Sequence, residues 1–166
     1  MRTEAGCSCD VGRCSARVTG HMAEVAQRLA AGGWCRLRIE AIAGSQWATL
    51  CLEHARALGL GERGSLWVQS GGWTEDLPMA RSRALAEDLA ECAVERCPEC
   101  ADVGGAGDWS ELRLEAVALP GASYVCRLCP AHARALLAGT RLTLAADRWT
   151  EDAATTRAIA ALFTAR

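Results

Sequence analysis

Apolar and polar residues alternate in two stretches of the chain, and each alternation leads into the same short helical signal. Over 34–43, Leu37, Ile39 and Ala41 fall on one face and Arg36, Arg38 and Glu40 on the other. That period of two is the mark of a half-buried strand. Gly44-Ser45 signals a turn, and 46–51 reads as the return strand. Over 109–118, Leu112, Leu114 and Ala116 share a face, Pro120-Gly121 is the turn and 123–126 the return. Both hairpins hand over to short helices, at 52–60 and 129–137, and then to short strands at 65–69 and 141–145.

A period near 3.6 appears elsewhere. Met22, Val25, Ala26 and Leu29 predict an amphipathic helix over 19–31, capped by Thr19 and ended by Gly32-Gly33. Trp-Thr-Glu-Asp occurs at 73–76 and again at 149–152. Thr74 is a good N-cap type, with two acids behind it and Pro78 in the first turn, so a long helix to about Glu95 is expected. Its stripe is Leu85, Leu89 and Cys92, which makes Cys92 a packed core residue. The last helix carries Ile159, Leu162 and Phe163. Residues 1–18 read as loop or knuckle.

The two patterned stretches belong to copies of one unit. Cys51-Leu-Glu-His54-Ala-Arg-Ala-Leu and Cys129-Pro-Ala-His132-Ala-Arg-Ala-Leu share Cys-x-x-His-Ala-Arg-Ala-Leu. Trp34, Arg38 and Glu40 match Trp109, Arg113 and Glu115. This is an internal duplication. It divides the chain into 1–95, with the inserted helix 19–31, and 96–166. Each unit reads knuckle, β-hairpin, helix, strand, helix, an α+β architecture.

Composition sharpens this. Units of this size bury little core and need a metal, disulfides or mutual packing. There are ten cysteines. All 18 basic residues are arginine, net charge is −2, and each half is nearly neutral. Non-specific nucleic-acid binding requires clustered positive charge, so that partner is an alternative and not the favoured one. No apolar run reaches the ~18–20 residues of a membrane helix. The first ten residues have no apolar signal core, so a cytoplasmic chain is expected. In that compartment closely spaced cysteines serve as metal ligands or redox thiols more often than as disulfides.

Zinc takes four tetrahedral ligands, and short spacers let one turn supply a pair. In the second copy the candidate set is Cys97, Cys100, Cys129 and His132. Cys126-x-x-Cys129 is a competing pair, but the position matching Cys126 is Ala48, whereas both histidines match. In the first copy the set is Cys9, Cys14, Cys51 and His54, with Gly12 permitting the turn. Cys7 and His21 are its alternates. Cys35 matches Ser110 and reads as an unliganded strand thiol.

Ligand spacing and element order resemble the broad class of treble-clef and zinc-ribbon-like modules, in which a knuckle and hairpin lead to a helix bearing the last ligands. The resemblance implies structural zinc, two ions per chain, and leaves function open. Four ligands per site read as closed, and neither His-Glu-x-x-His nor a deaminase pattern occurs. The expected function is therefore non-enzymatic: a zinc-binding adaptor or regulator for another macromolecule, with protein the favoured partner. The alternatives are a nucleic-acid-binding regulator presenting Arg36, Arg38, Arg56, Arg113 and Arg134, and a redox-responsive switch using Cys7, Cys35 and Cys126. The repeated Arg and Glu on the strands read as cross-strand ion pairs. Trp47 and Trp67, which have no counterparts, are either core or exposed anchors.

Overall fold

The computed structural model describes residues 4–41, 44–59, 65–76, 90–98, 100–101, 109–119, 123–145, 150–151 and 161. It is a mixed α/β protein. In chain order the elements are β1 Ala5–Ser8, β2 Arg17–Gly20, α1 Met22–Ala31, β3 Cys35–Ala41, β4 Gly44–Leu50, α2 Leu52–Gly59, β5 Ser65–Leu66 and β6 Thr74–Asp76. They continue with β7 Ala90–Glu91, β8 Cys100–Ala101, β9 Ser110–Ala116, β10 Ser123–Leu128, α3 Pro130–Leu137, β11 Leu142–Thr143 and β12 Thr150–Glu151.

The two expected hairpins are β3–β4 and β9–β10, and they join edge to edge. The six-stranded sheet runs β12-β10-β9-β3-β4-β6, and each neighbouring pair is antiparallel. At its centre β3 pairs with β9, with Arg38 opposite Arg113 and Leu37 opposite Leu114. The alternation then decides which face is covered. Leu37, Ile39, Ala48 and Leu50 from one hairpin, and Leu112, Leu114, Ala116 and Leu128 from the other, are all buried. They share one core with Ala55 and Leu58 of α2, Ala133 and Leu136 of α3, and Leu66, Val68, Leu142 and Leu144. On the opposite face the central arginines stand directly across from each other, a repulsive arrangement that diagonal acids offset. Arg38 Nε lies 3.3 Å from Glu115 and Arg113 Nε 3.3 Å from Glu40, and Arg113 also contacts Glu111.

Several expectations are corrected. The first 18 residues are not all loop, because β1 pairs with β2 from Ala5↔Gly20 to Ser8↔Arg17. Thr19 lies in β2, so α1 starts later: His21 is its N-cap, with Glu24 Oε2 accepting from the His21 N–H at 3.4 Å. The glycine stop is as read; Gly33 has φ 69, and a Cβ there would meet Leu52 at 2.9 Å. Thr74 and Thr150 are strand residues and not helix caps. The open edges of β4 and β10 offer unpaired backbone groups, which Thr74 and Thr150 take up opposite Trp47 and Val125. The helices expected to follow them fall largely outside the described residues.

The tryptophans divide. Trp34 and Trp109 are buried, and Trp73 packs against the main core. Trp47 is half-buried with Arg36 4.9 Å over its ring. Trp67 is half-buried and spans the molecule, its indole N–H donating to the Gly139 carbonyl at 3.1 Å. Trp149 lies outside the described residues.

Candidate metal centres

Each centre is assembled from a knuckle and the start of a helix. In the first, Cys9 and Cys14 flank Asp10-Val11-Gly12-Arg13. The Cys14 N–H closes the turn onto the Val11 carbonyl at 3.0 Å, with Arg13 in the left-handed region at φ 67. The strand β4 ends at Leu50, so Cys51 stands at the start of α2 and His54 three residues on. Residues three apart on a helix share a face. The Ala55 N–H donates to the Cys51 carbonyl at 2.9 Å, the first helical bond, which locks that spacing.

These four side chains converge. Ligand atoms of Cys9, Cys14, Cys51 and His54 all lie within 4.8 Å of one another. Cys14 Sγ is 3.9 Å from Cys51 Sγ, and His54 Nδ1 is 3.1 Å from Cys51 Sγ and 3.8 Å from Cys9 Sγ. Backbone donors surround the sulfurs. The Cys51 N–H reaches Cys9 Sγ at 3.3 Å and the Ala16 N–H reaches Cys14 Sγ at 3.5 Å. Such donors favour thiolate over thiol. Cys51 is accordingly pulled down to about 4, by the bond with Cys9 first and His54 after it, while that same bond and burial push Cys9 up.

The second centre repeats the plan with one ligand other than expected. Cys92, Cys97, Cys129 and His132 have their ligand atoms within 4.8 Å of one another. Cys92 therefore stands with Cys97, Cys129 and His132 among the described side chains, and its reading as a helical core residue is corrected. The physical reason is local. Ala90–Glu91 is extended and pairs with Cys100–Ala101, so the chain enters Cys92 as a strand. The Ala93 N–H then donates to the Arg127 carbonyl at 2.7 Å, and the Cys97 N–H to the Val94 carbonyl at 3.1 Å. Arg96 has φ 62, the counterpart of Arg13. The Cys100 backbone sits opposite Glu91 in β8, and its thiol lies outside the described side chains.

The remaining geometry follows the first centre closely. His132 Nδ1 is 3.1 Å from Cys129 Sγ and 3.4 Å from Cys92 Sγ, and the Cys129 N–H reaches Cys92 Sγ at 3.4 Å. Cys129 is the N-cap of α3, with Pro130 at its first position. Burial pushes the Cys92 thiol up to about 12.

A signal for Cys92 was present in the sequence. Cys9-x-Val-x-Arg-Cys14 and Cys92-x-Val-x-Arg-Cys97 are the same hexapeptide pattern. It was hidden by unequal insertions. Cys9 and Cys51 are 42 residues apart, Cys92 and Cys129 only 37. Aligning the copies on their hairpins therefore misplaces the knuckles.

Neither ligand group includes Cys7, His21, Cys35 or Cys126. His132 and not Cys126 completes the second group, and Cys126 is buried in the main core. Cys35 is also buried, with its thiol 3.8 Å from the Gly33 carbonyl. Beside the first centre, Val11, Leu50, His54, Leu58 and Trp67 help line a cavity of about 30 Å³, room for little more than water. Each group offers one nitrogen and three sulfurs from two buried and two half-buried side chains, a donor set able to hold a metal ion. Among the described residues no helix is long and apolar enough to cross a membrane. Comparison with family models, with curated proteins and with solved structures finds no match for the chain.

Proposed function

We propose that the chain is a structural-zinc protein of two homologous units that acts without catalysis, as a cytoplasmic adaptor or regulator binding another protein. The observation that carries this is the pair of four-ligand Cys3His groups. Zinc held by nitrogen and sulfur at about 2.0–2.3 Å separates its ligand atoms by roughly 3.5–3.8 Å. All ligand atoms of each group lie within 4.8 Å of one another, with contacts down to 3.1 Å in both, so modest adjustment would meet that. Sulfur-rich sets favour zinc over magnesium or calcium. Four protein ligands leave no open position for substrate or water, unlike catalytic zinc. The division between units is best drawn ahead of Ala90, because a boundary at 95/96 would separate Cys92 from Cys97.

The competing readings draw less support. Arg38 and Arg113 face Glu115 and Glu40, and Arg36 covers Trp47, so these three are engaged within the sheet. A redox switch needs accessible, acidic thiols. Burial instead pushes Cys35 up to about 12 and also raises Cys126, two of the three thiols that reading would use.

The test is metal analysis of reduced, purified chain together with affinity capture from its native host. Two zinc per chain and a nuclease-resistant protein partner are the expected results. One zinc or none, or retention only of nucleic acid in a salt-sensitive way, would overturn the reading.

A further inference from the structure

One ribbon of backbone hydrogen bonds runs from one knuckle to the other. Val11, between Cys9 and Cys14, bridges to Val68. The segment just before Val68 is β5, which pairs with β11 through Leu66↔Leu142 and Ser65↔Thr143. The next residue, Leu144, bridges to Val94, between Cys92 and Cys97. Four further bonds reinforce the two ends. Gly12 N–H donates to the Trp67 carbonyl at 2.9 Å and Gln69 N–H to the Asp10 carbonyl at 3.0 Å. Glu95 N–H donates to the Thr143 carbonyl and Ala145 N–H to the Ala93 carbonyl, both at 2.8 Å.

Trp67 ties the same route with its side chain. Its ring lies so close over Gly12 that a Cβ there would come within 2.6 Å. Its N–H bonds Gly139, just beyond the helix that carries His132. Arg141 Nε adds a bond to Ser65 Oγ at 2.5 Å across the β5–β11 pair. One residue thus touches the knuckle of the first centre and the helix end of the second.

Both knuckles hold an arginine in the left-handed region, a conformation unfavourable for residues with a side chain. Without a cation, clustered thiols and this strain both favour a relaxed knuckle. Relaxing either one removes its bridge to the ribbon. An ion at one centre would therefore order the ribbon, and the other centre would bind its ion with part of the ordering already done.

Resting on the zinc reading above, we propose that the two centres fill cooperatively, coupled through the 65–69/141–145 ribbon and Trp67. The experiment titrates Co2+, then Zn2+, into the reduced metal-free full chain, counting chains with no, one and two ions by native mass spectrometry. The expected result is a second ion bound about tenfold tighter than the first, so that one-metal chains stay scarce at half-loading. One-metal chains making up about half or more of the population, the distribution for independent sites, would overturn the coupling while leaving the zinc reading intact. Saturation below two ions would overturn the zinc reading and the coupling with it. Trp67→Phe keeps a ring over Gly12 and loses the bond to Gly139. It should still bind two ions but with the one-metal species restored several-fold; an unchanged distribution would overturn the Trp67 route. Ser65→Ala, which removes the Arg141 acceptor and keeps the β5 backbone pairing, gives the same test for the β5–β11 link.

Discussion

The two candidate metal centres offer the same donor set of three sulfurs and one nitrogen, yet they sit in different parts of the protein's interior. Cys92 and Cys129 belong to the main core, in contact with the sheet and with α3. Cys9 and Cys51 belong to a separate smaller cluster with Val25, Leu29 and Trp34, against which β1 and β2 residues pack. The difference comes from the insertion between Cys14 and the first hairpin, which supplies β2 and α1. The second centre is continuous with the sheet, whereas the first fastens an accessory layer to it. Identical coordination chemistry can therefore have unequal structural weight, set by what surrounds it.

The sharpest way to break this comparison is to remove one ligand from each centre. Cys129→Ser and Cys51→Ser should each lose one of two ions, read by metal analysis. Zinc ligation in small modules is worth on the order of 10 kcal/mol of folding free energy, so losses of several kcal/mol are expected. Cys129→Ser should lower the global unfolding midpoint most. Cys51→Ser should instead raise amide exchange chiefly in β1, β2 and α1 while the sheet stays protected. Equal global effects would show that both centres support one cooperative core.

A comparable effect separates Cys92 from Cys100. Cys92→Ser should lose the second ion and Cys100→Ser should retain it, by the same metal count. The reverse outcome would return the ligand to Cys100.

A smaller difference lies between the knuckles. Gly12→Ala forces a Cβ to within 2.6 Å of the Trp67 ring, and overpacking of that kind costs about 1–3 kcal/mol. Glu95 holds the matching position in the second knuckle and is exposed. Glu95→Ala should change stability by no more than about 0.5 kcal/mol in chemical denaturation.

The smallest effect is absent at neutral pH. Burial, and after it the Cys51 charge, push the Cys35 thiol from its ordinary value of 9.0 up to about 12. The folded state therefore holds this proton more tightly than the unfolded chain does. Its stability is fully present below pH 9.0 and declines as pH rises toward about 12. Ser110, buried at the corresponding position in the other hairpin, cannot ionise in this range. Cys35→Ser should flatten the alkaline limb of the unfolding curve relative to the parent chain, and an unchanged limb would show that Cys35 is not a contributor.

Much of this protein was legible in its residues because its patterns are local. Period-2 alternation marked β3 and β9, the turn signals after them marked the returns β4 and β10, and Cys-x-x-His at a hairpin's end marked the helix starts at Cys51 and Cys129. The Cys9-x4-Cys14 knuckle could be read because its pair and its glycine lie within six residues. Other features depend on partners far along the chain. Thr74 looks like a helix cap until the free edge of β4 is available to pair with it. Cys92 looks like core until Arg127 and Leu144 hold its knuckle in place. The sheet's central join, Arg38 against Arg113, needs two hairpins that neither copy contains alone. Sequence by itself determined the two central hairpins, the helix starts after Cys51 and Cys129 and the ligand chemistry, since these rest on side-chain periodicity and short spacers. Tertiary structure decided the edge strands, the sheet's central join and the unequal surroundings of the two centres. Those depend on which unpaired backbone groups and apolar faces meet in space, and one-dimensional spacing does not record that.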